Sequence, residues 1–179
     1  MRTFVAAEVH SDEVLNAIAK LQSDFDIRAT AVSKQNMHFT LLFLGDISEE
    51  TVEDVKKKIA LIKFKPIDVS FMHVGAFPNP NFPRVLWIGT DDASAEQLVE
   101  LARQVEEKLG PLGFRSDKPF KPHLTIFRVK NKVDDISKKI EKFKETKLGR
   151  EVISEIKFKQ SILTPSGPIY SDLQVVNAQ

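Results

Sequence analysis

The sequence predicts an α+β fold made of two lobes of one domain spanning residues 1–179, and three observations lead there. Short β-prone runs with period-two or continuous apolar character recur along the chain. Amphipathic stretches with helical spacing lie between them. The order then recurs after Gly110-Pro111, and one strand in each half carries the sequence His-Xaa-Thr. With no low-complexity segment and no flexible linker between the halves, a weak internal repeat within one domain is the simplest organisation.

The elements follow in order. Residues 3–9 are apolar and β-prone, the pattern of a central strand. Ser11 is placed to cap a helix whose apolar positions are Val14, Leu15, Ile18 and Leu21. Residues 28–32 and 37–44 read as strands, and Ser48 caps a helix carrying Val52, Val55, Ile59 and Ile62. Strands over 67–77 and 85–88 flank a loop that Pro78, Pro80 and Pro83 impose. Ser94 opens a helix with Leu98, Leu101, Val105 and Leu109, which Gly110-Pro111 ends. Residues 120–129 read as a strand and 133–143 as a charged amphipathic helix. Strands over 151–163 and 169–176 are separated by a turn at 164–168.

Composition narrows the function classes. A 179-residue chain with 42% hydrophobic and 28% charged residues is long enough to bury a core without staples. The absence of cysteine excludes disulfides and thiolate metal sites and suits a cytoplasmic setting. The N-terminus becomes charged too soon for a signal peptide, and no apolar run approaches the ~20 residues of a membrane span, so no membrane partner is expected. A net charge of +1 argues against a sequence-independent binder of long nucleic acid. Local charge differs: residues 115–130 hold Arg115, Lys118, Lys121, Arg128 and Lys130 against Asp117 alone. That stretch is either a solvated loop or an anion site.

Two of the four histidines share a setting: His38-Phe39-Thr40-Leu41 and His123-Leu124-Thr125-Ile126. With eight threonines in 179 residues, two such coincidences among four histidines arise by chance about one time in a hundred. Residues i and i+2 of a strand point to one face, so each strand presents an imidazole beside a hydroxyl, while Met37, Phe39, Leu41, Phe43, Leu124 and Ile126 face the other way. Either motif alone is an ordinary polar pair on a sheet. Together they suit phosphoryl chemistry. Imidazole titrates near neutrality. Two imidazoles on opposite sides of a phosphorus can divide proton removal and proton donation. Threonine hydroxyls can donate to the non-bridging oxygens. Each motif offers a single nitrogen ligand, so no metal and no other cofactor is expected. His10, at a strand end, and His73, in an apolar strand, read as structural.

At these residues the chain resembles the 2H phosphoesterase superfamily, which carries two His-Xaa-Thr-Xaa motifs. Within it the chain is similar to the RNA 2′,3′-cyclic phosphodiesterase family, also called 2′-5′ RNA ligase. The similarity runs through Arg2-Thr3-Phe4-Val5-Ala6, His38 to Gly45, Arg84 to Gly89, Lys121 to Arg128 and Ser166-Gly167-Pro168-Ile169-Tyr170. The resemblance implies two pseudo-symmetric lobes of mainly antiparallel sheet with outer helices, facing each other across a central cleft with one motif from each. It implies opening of an RNA 2′,3′-cyclic phosphate to a 2′-phosphate, with His123 as proton acceptor and His38 as proton donor. It also implies reversible 2′-5′ ligation by the same residues. The implied partners are RNA ends or tRNA fragments bearing a cyclic phosphate, handled by a monomeric protein.

Around the motifs, Thr40 and Thr125 are the expected phosphate ligands. Arg128 lies on the wrong face by alternation and reaches the cleft only if the strand ends or bulges near Phe127. Lys121 shares parity with His123 and is a second phosphate candidate. Phe127 shares that parity too and is placed to stack on a base. Trp87 reads as core, and the loop around Phe82 as a rim of the cleft. The rival is a nucleotide- or RNA-binding module on the same fold without turnover. Binding alone has no need of two titrating groups.

Overall fold

Helix starts obey their caps. The computed structural model describes residues 1–179. In it the Ser11 side chain accepts the Val14 N–H at the start of α1 (Asp12–Asp24), and Ser48 accepts the Thr51 N–H at the start of α2 (Glu49–Ile59). The third helix departs from expectation. Its cap is Asp91, which accepts the Ser94 N–H at 2.9 Å, and α3 runs Asp92–Leu109. Ser94 is instead a buried residue of its first turn, whose hydroxyl accepts the Ser70 N–H and donates to the Asp68 carbonyl. The charged helix expected over 133–143 shrinks to α4 (Ser137–Lys142). Asp134 and Asp135 favour local turns over helix interior, and Asp135 accepts the Ser137 N–H at 2.8 Å.

The strands are β1 (Arg2–Glu8), β2 (Thr30–Ala31), β3 (His38–Asp46), β4 (Ile67–Phe77), β5 (Val85–Thr90), β6 (Leu124–Arg128), β7 (Lys147–Ile153), β8 (Glu155–Thr164) and β9 (Gly167–Asn177). The strand expected over 151–163 is thus two strands broken at Ser154, which enter different sheets. Residues 120–123 precede β6 rather than belonging to it.

One sheet has the order β3-β1-β8-β9 and the other β2-β6-β5-β4-β7, with every pairing antiparallel. The orders β3-β1-β8 and β6-β5-β4 correspond, so the lobes are pseudo-symmetric but are not the two halves of the sequence. The first half gives β2, β4 and β5 to the second sheet, and the second half gives β8 and β9 to the first. Helices cross over likewise: α1 follows β1 yet packs on β6 and β7, and α3 follows β5 yet packs on β3 as well as on β4 of its own sheet. The apolar faces merge into one cluster of 39 buried residues, with no division between the lobes.

Each motif strand carries an extra residue at the same place, and β3 has a second one further on, at Leu44. In β3, Thr40 pairs with Ala6 and Leu42 with Val5, leaving Leu41 without a partner. In β6, Thr125 pairs with Trp87 and Phe127 with Leu86, leaving Ile126 without one. Such a bulge breaks the two-residue period, so both the extra residue and its successor face the core. Leu41, Leu42, Ile126 and Phe127 are all buried. The next residue, Phe43 in one lobe and Arg128 in the other, therefore turns back to the face of the His and Thr. This overturns the expected placements of Phe43 and Phe127: Phe43 is exposed, and Phe127 packs against Phe25 with ring centroids 6.1 Å apart.

Behind the first motif, Phe39 is fully buried and stacks on Phe71 of the other sheet at 5.8 Å. Phe39→Ala should lower unfolding free energy by about 3–5 kcal/mol, the usual cost of emptying such a site. Guanidinium-induced unfolding checks this.

Candidate active site

His38 and His123 open the two motifs and line one cavity of about 400 Å³ between the sheets, together with Thr40, Thr125 and Arg128. Each imidazole is held by the same device. Nδ1 of His38 lies 2.7 Å from the Asn36 carbonyl, and Nδ1 of His123 lies 2.7 Å from the Lys121 carbonyl. A carbonyl only accepts, so Nδ1 of each ring carries the proton and Nε2 is left for chemistry. A 3₁₀ turn, Lys34–Asn36, presents the first carbonyl. The second comes from the irregular segment before β6, where Pro122 offers no N–H to a sheet ladder.

Aromatic rings fix both imidazoles from the side. Phe4 and Tyr170 lie 5.2 and 5.4 Å from His38, while Phe77 and Trp87 lie 5.0 and 6.5 Å from His123. Trp87, expected in the core, is only half-buried and stands beside His123. It lies flat over Gly75, where an added Cβ would overlap the indole.

The two imidazoles differ electrostatically. Burial pushes His38 below its ordinary value, and the charges of Lys159 and Arg128 push it further, against the Asn36 carbonyl and Glu8. Its Nε2 is 3.1 Å from the Thr40 hydroxyl. Beside it runs an ionic network on the same sheet. Lys157 bonds Glu8 at 2.8 Å and Asp172 at 3.0 Å, and Lys159 bridges the same two carboxylates. Burial pushes Glu8 up, but the bonds from the two lysines outweigh it and hold the carboxyl below its ordinary range. His10 and Glu155 adjoin this network, and the three groups Glu8, His10 and Glu155 are close enough together to hold a cation. Lys157, however, already pairs with both carboxylates.

Of the expected site residues, His38, Thr40, His123, Thr125 and Arg128 come together in the cavity. Lys121 does not: residues 120–123 are not strand, so parity with His123 does not apply. Its side chain is exposed, and only its carbonyl serves the site. The Phe82 loop does not line the cavity. Its Pro80 carbonyl instead accepts the Ile136 N–H. His73 lies elsewhere, at a bulge of β4 with φ 68°, and its Nδ1 is 2.8 Å from the Lys144 carbonyl. Sequence reading missed Phe4, Tyr170 and Phe43. The adjacent buried pairs Leu41-Leu42 and Ile126-Phe127 were the available signal for the bulge.

The chain is similar to known proteins along almost its whole length. The model of the LigT-like phosphoesterase family matches twice, at residues 9–87 and 88–170, with one His-Xaa-Thr in each match. A protein of Archaeoglobus fulgidus named RNA 2′,3′-cyclic phosphodiesterase is 42% identical over 98% of this chain and 99% of its own. One of the same name from Methanocaldococcus jannaschii is 37% identical over 95% and 96%. A solved structure from Thermus thermophilus superposes with a TM-score of 0.82 at 27% identity, covering 99% of this chain and 97% of that one. Escherichia coli LigT in complex with 3′-AMP shares the fold at a TM-score of 0.82 and 20% identity, covering 99% and 98%.

Two expectations follow. The folded chain holds His38 below 6.5, so it favours the native state above that pH. This contribution is lost as pH falls below 6.5 toward the folded value. An NMR titration of the His38 ring should give a midpoint below 6.5. Gly75→Ala should displace the indole of Trp87, the one tryptophan, and shift its fluorescence emission to longer wavelength.

Proposed function

The chain belongs to the LigT-like phosphoesterase family and is a hydrolase; on that footing, we propose that it opens RNA 2′,3′-cyclic phosphate ends to 2′-phosphates without a metal. The observation that carries the reading is the pair of imidazoles, one from each lobe, tied at Nδ1 and lining one cavity. His123 Nε2 takes a proton from water as the water oxygen bonds to phosphorus. His38 Nε2–H protonates the 3′ oxygen as its bond to phosphorus breaks, leaving a 2′-phosphate and a free 3′-hydroxyl. Thr40 and Thr125 donate hydrogen bonds to the non-bridging oxygens, and Arg128 offsets their charge. With a 5′-hydroxyl in place of water as the nucleophile, the same pair would serve 2′-5′ ligation, and the reverse of that step would cleave the 2′-5′ linkage back to a cyclic phosphate. The names of the curated relatives support the substrate class.

One observation favours a second reading, with the roles exchanged. Burial favours the neutral form of His38 in the free cleft, which suits a base. An arriving phosphodiester anion raises it again, which restores the first assignment. A cyclic phosphate with sulfur in place of the 3′-bridging oxygen separates the two, because a thiolate leaves without a proton. It should rescue His38→Ala and not His123→Ala.

The main test uses a short RNA ending in a 2′,3′-cyclic phosphate, in excess EDTA. Wild type should give a 2′-phosphate end with a bell-shaped pH dependence. His38→Ala and His123→Ala should each lose at least about 10²-fold in rate. Binding without turnover would favour the binding module, and opening that survives both substitutions would put the chemistry elsewhere.

A further inference from the structure

Hydrolysis asks for one water at the phosphorus, about 30 Å³ in the liquid. The cavity between the lobes is about 400 Å³, the size of a small-ligand site. It runs on past the two His–Thr pairs in two directions. In one, past His38 and Thr40, it joins a compartment of about 380 Å³ that His123 does not line. In the other it is bounded by residues 30–33, Gln35 and Ser166, which have no part in that compartment.

That wall is polar and neutral. Apart from the two histidines and Arg128, no residue lining the cavity is charged. Lys34, in the adjoining 3₁₀ turn, gives its ammonium to Asn16 instead. Ser33 precedes that turn without capping it, and the side chains of Ser33 and Gln35 are exposed, so a hydroxyl and an amide are free to bond a ligand. β2 is an edge strand, paired with β6 alone. Such an edge has unpaired N–H and C=O groups, and both residues of β2 line the cavity. Donors and acceptors without a cation suit the edge of an unstacked base and not a phosphate.

Stereochemistry says which nucleoside belongs there. In an in-line displacement the entering and departing oxygens are on opposite sides of phosphorus. With the departing 3′ oxygen at His38, the entering oxygen comes from the side of His123. We infer that the wall formed by β2, Ser33 and Gln35 is the subsite for a second RNA end, one whose 5′-hydroxyl enters in place of water. The 5′ oxygen bonds to phosphorus as its proton passes to His123 Nε2. The bond from phosphorus to the 3′ oxygen breaks as His38 Nε2–H protonates that oxygen. A 2′-5′ linkage and a free 3′-hydroxyl result, and no further reactant is consumed. The inference rests on the acid–base reading above. It extends that reading by naming side chains outside both motifs that choose between water and an RNA end. A neutral wall accepts a 5′-hydroxyl end and refuses a 5′-phosphate, whose charge finds no cation there once the reacting phosphate has taken Arg128.

The test adds a short 5′-hydroxyl RNA, or the same RNA with a 5′-phosphate, to the hydrolysis of an RNA 2′,3′-cyclic phosphate. Wild type is compared with the double variant Ser33→Ala/Gln35→Ala. In wild type the 5′-hydroxyl RNA should slow formation of the 2′-phosphate and appear in a 2′-5′-linked product, and the 5′-phosphate RNA should do neither. The double variant should need about tenfold more 5′-hydroxyl RNA for the same effect, the scale of two lost hydrogen bonds. Its hydrolysis without a second RNA should stay at the wild-type rate, which also shows that it folds. The subsite would be overturned by a 5′-hydroxyl RNA without effect on wild type, by equal effects of the two RNAs, or by a wild-type response in the double variant. An equal loss of hydrolysis in the double variant would overturn it too, by giving Ser33 and Gln35 to the cyclic-phosphate strand. Failure of the hydrolysis reading looks different. No cyclic phosphate is then opened with or without a second RNA, while calorimetry still finds the 5′-hydroxyl RNA bound to wild type and weakened in the double variant.

Discussion

The unpaired residue just after the His–Thr pair of each motif strand sets what the cleft contains. Were β3 and β6 to alternate without interruption, His38 and Thr40 would still share a face with each other, as would His123 and Thr125, but the cleft would receive Leu42 and Phe127 instead of Phe43 and Arg128. The bulges at Leu41 and Ile126 reverse this. They add a pair of consecutive core residues to each strand, which anchors it, and then return the chain to the cleft. The hydrogen bonds from Nδ1 to the Asn36 and Lys121 carbonyls complete the arrangement, because they keep Nε2 of each ring clear of the backbone. The catalytic proposal draws Arg128 from one device and the two Nε2 atoms from the other.

Equivalence of the two lobes ends at the charges. His38 sits beside the Lys157–Lys159–Glu8–Asp172 network, whose carboxylates balance its ammonium groups. The cleft is therefore not broadly basic, in keeping with a chain of net charge +1. The cation that stands on the His–Thr face after a motif is Arg128. Specificity for an RNA end would then come from a local combination of cation, hydroxyls and aromatic ring, and not from the long-range field that binders of long nucleic acid use.

Local features were legible in the sequence and long-range pairings were not. The caps at Ser11 and Ser48, the eleven-residue strand β4 (Ile67–Phe77) and both His–Thr pairs follow from hydroxyl capping and period-two patterning. The helix over 133–143 was over-read because the spacing of Val133, Ile136, Ile140 and Phe143 ignores the turn preference of Asp134 and Asp135. The exchange of β4 and β8 between sheets lies outside any local pattern: nothing near Ser154 says that the next strand pairs with β1. The cleft role of Phe43 was hidden because Leu41-Leu42-Phe43-Leu44 reads equally well as one continuous buried strand. Only the register with β1 separates the exposed ring from its buried neighbours. Trp87 was misread for a similar reason, since a lone tryptophan in an apolar strand gives no hint that Gly75 clears a bed for it beside His123.

The central claim is that the two imidazoles act from opposite sides of one phosphorus. A crystal structure of the protein with a nucleoside 2′,3′-vanadate, which mimics the five-coordinate phosphorus of an in-line displacement, tests it most directly. The account predicts one apical oxygen against His123 Nε2 and the apical 3′ oxygen against His38 Nε2. Vanadate bound with both apical oxygens away from the imidazoles, or held outside the cleft altogether, would contradict it.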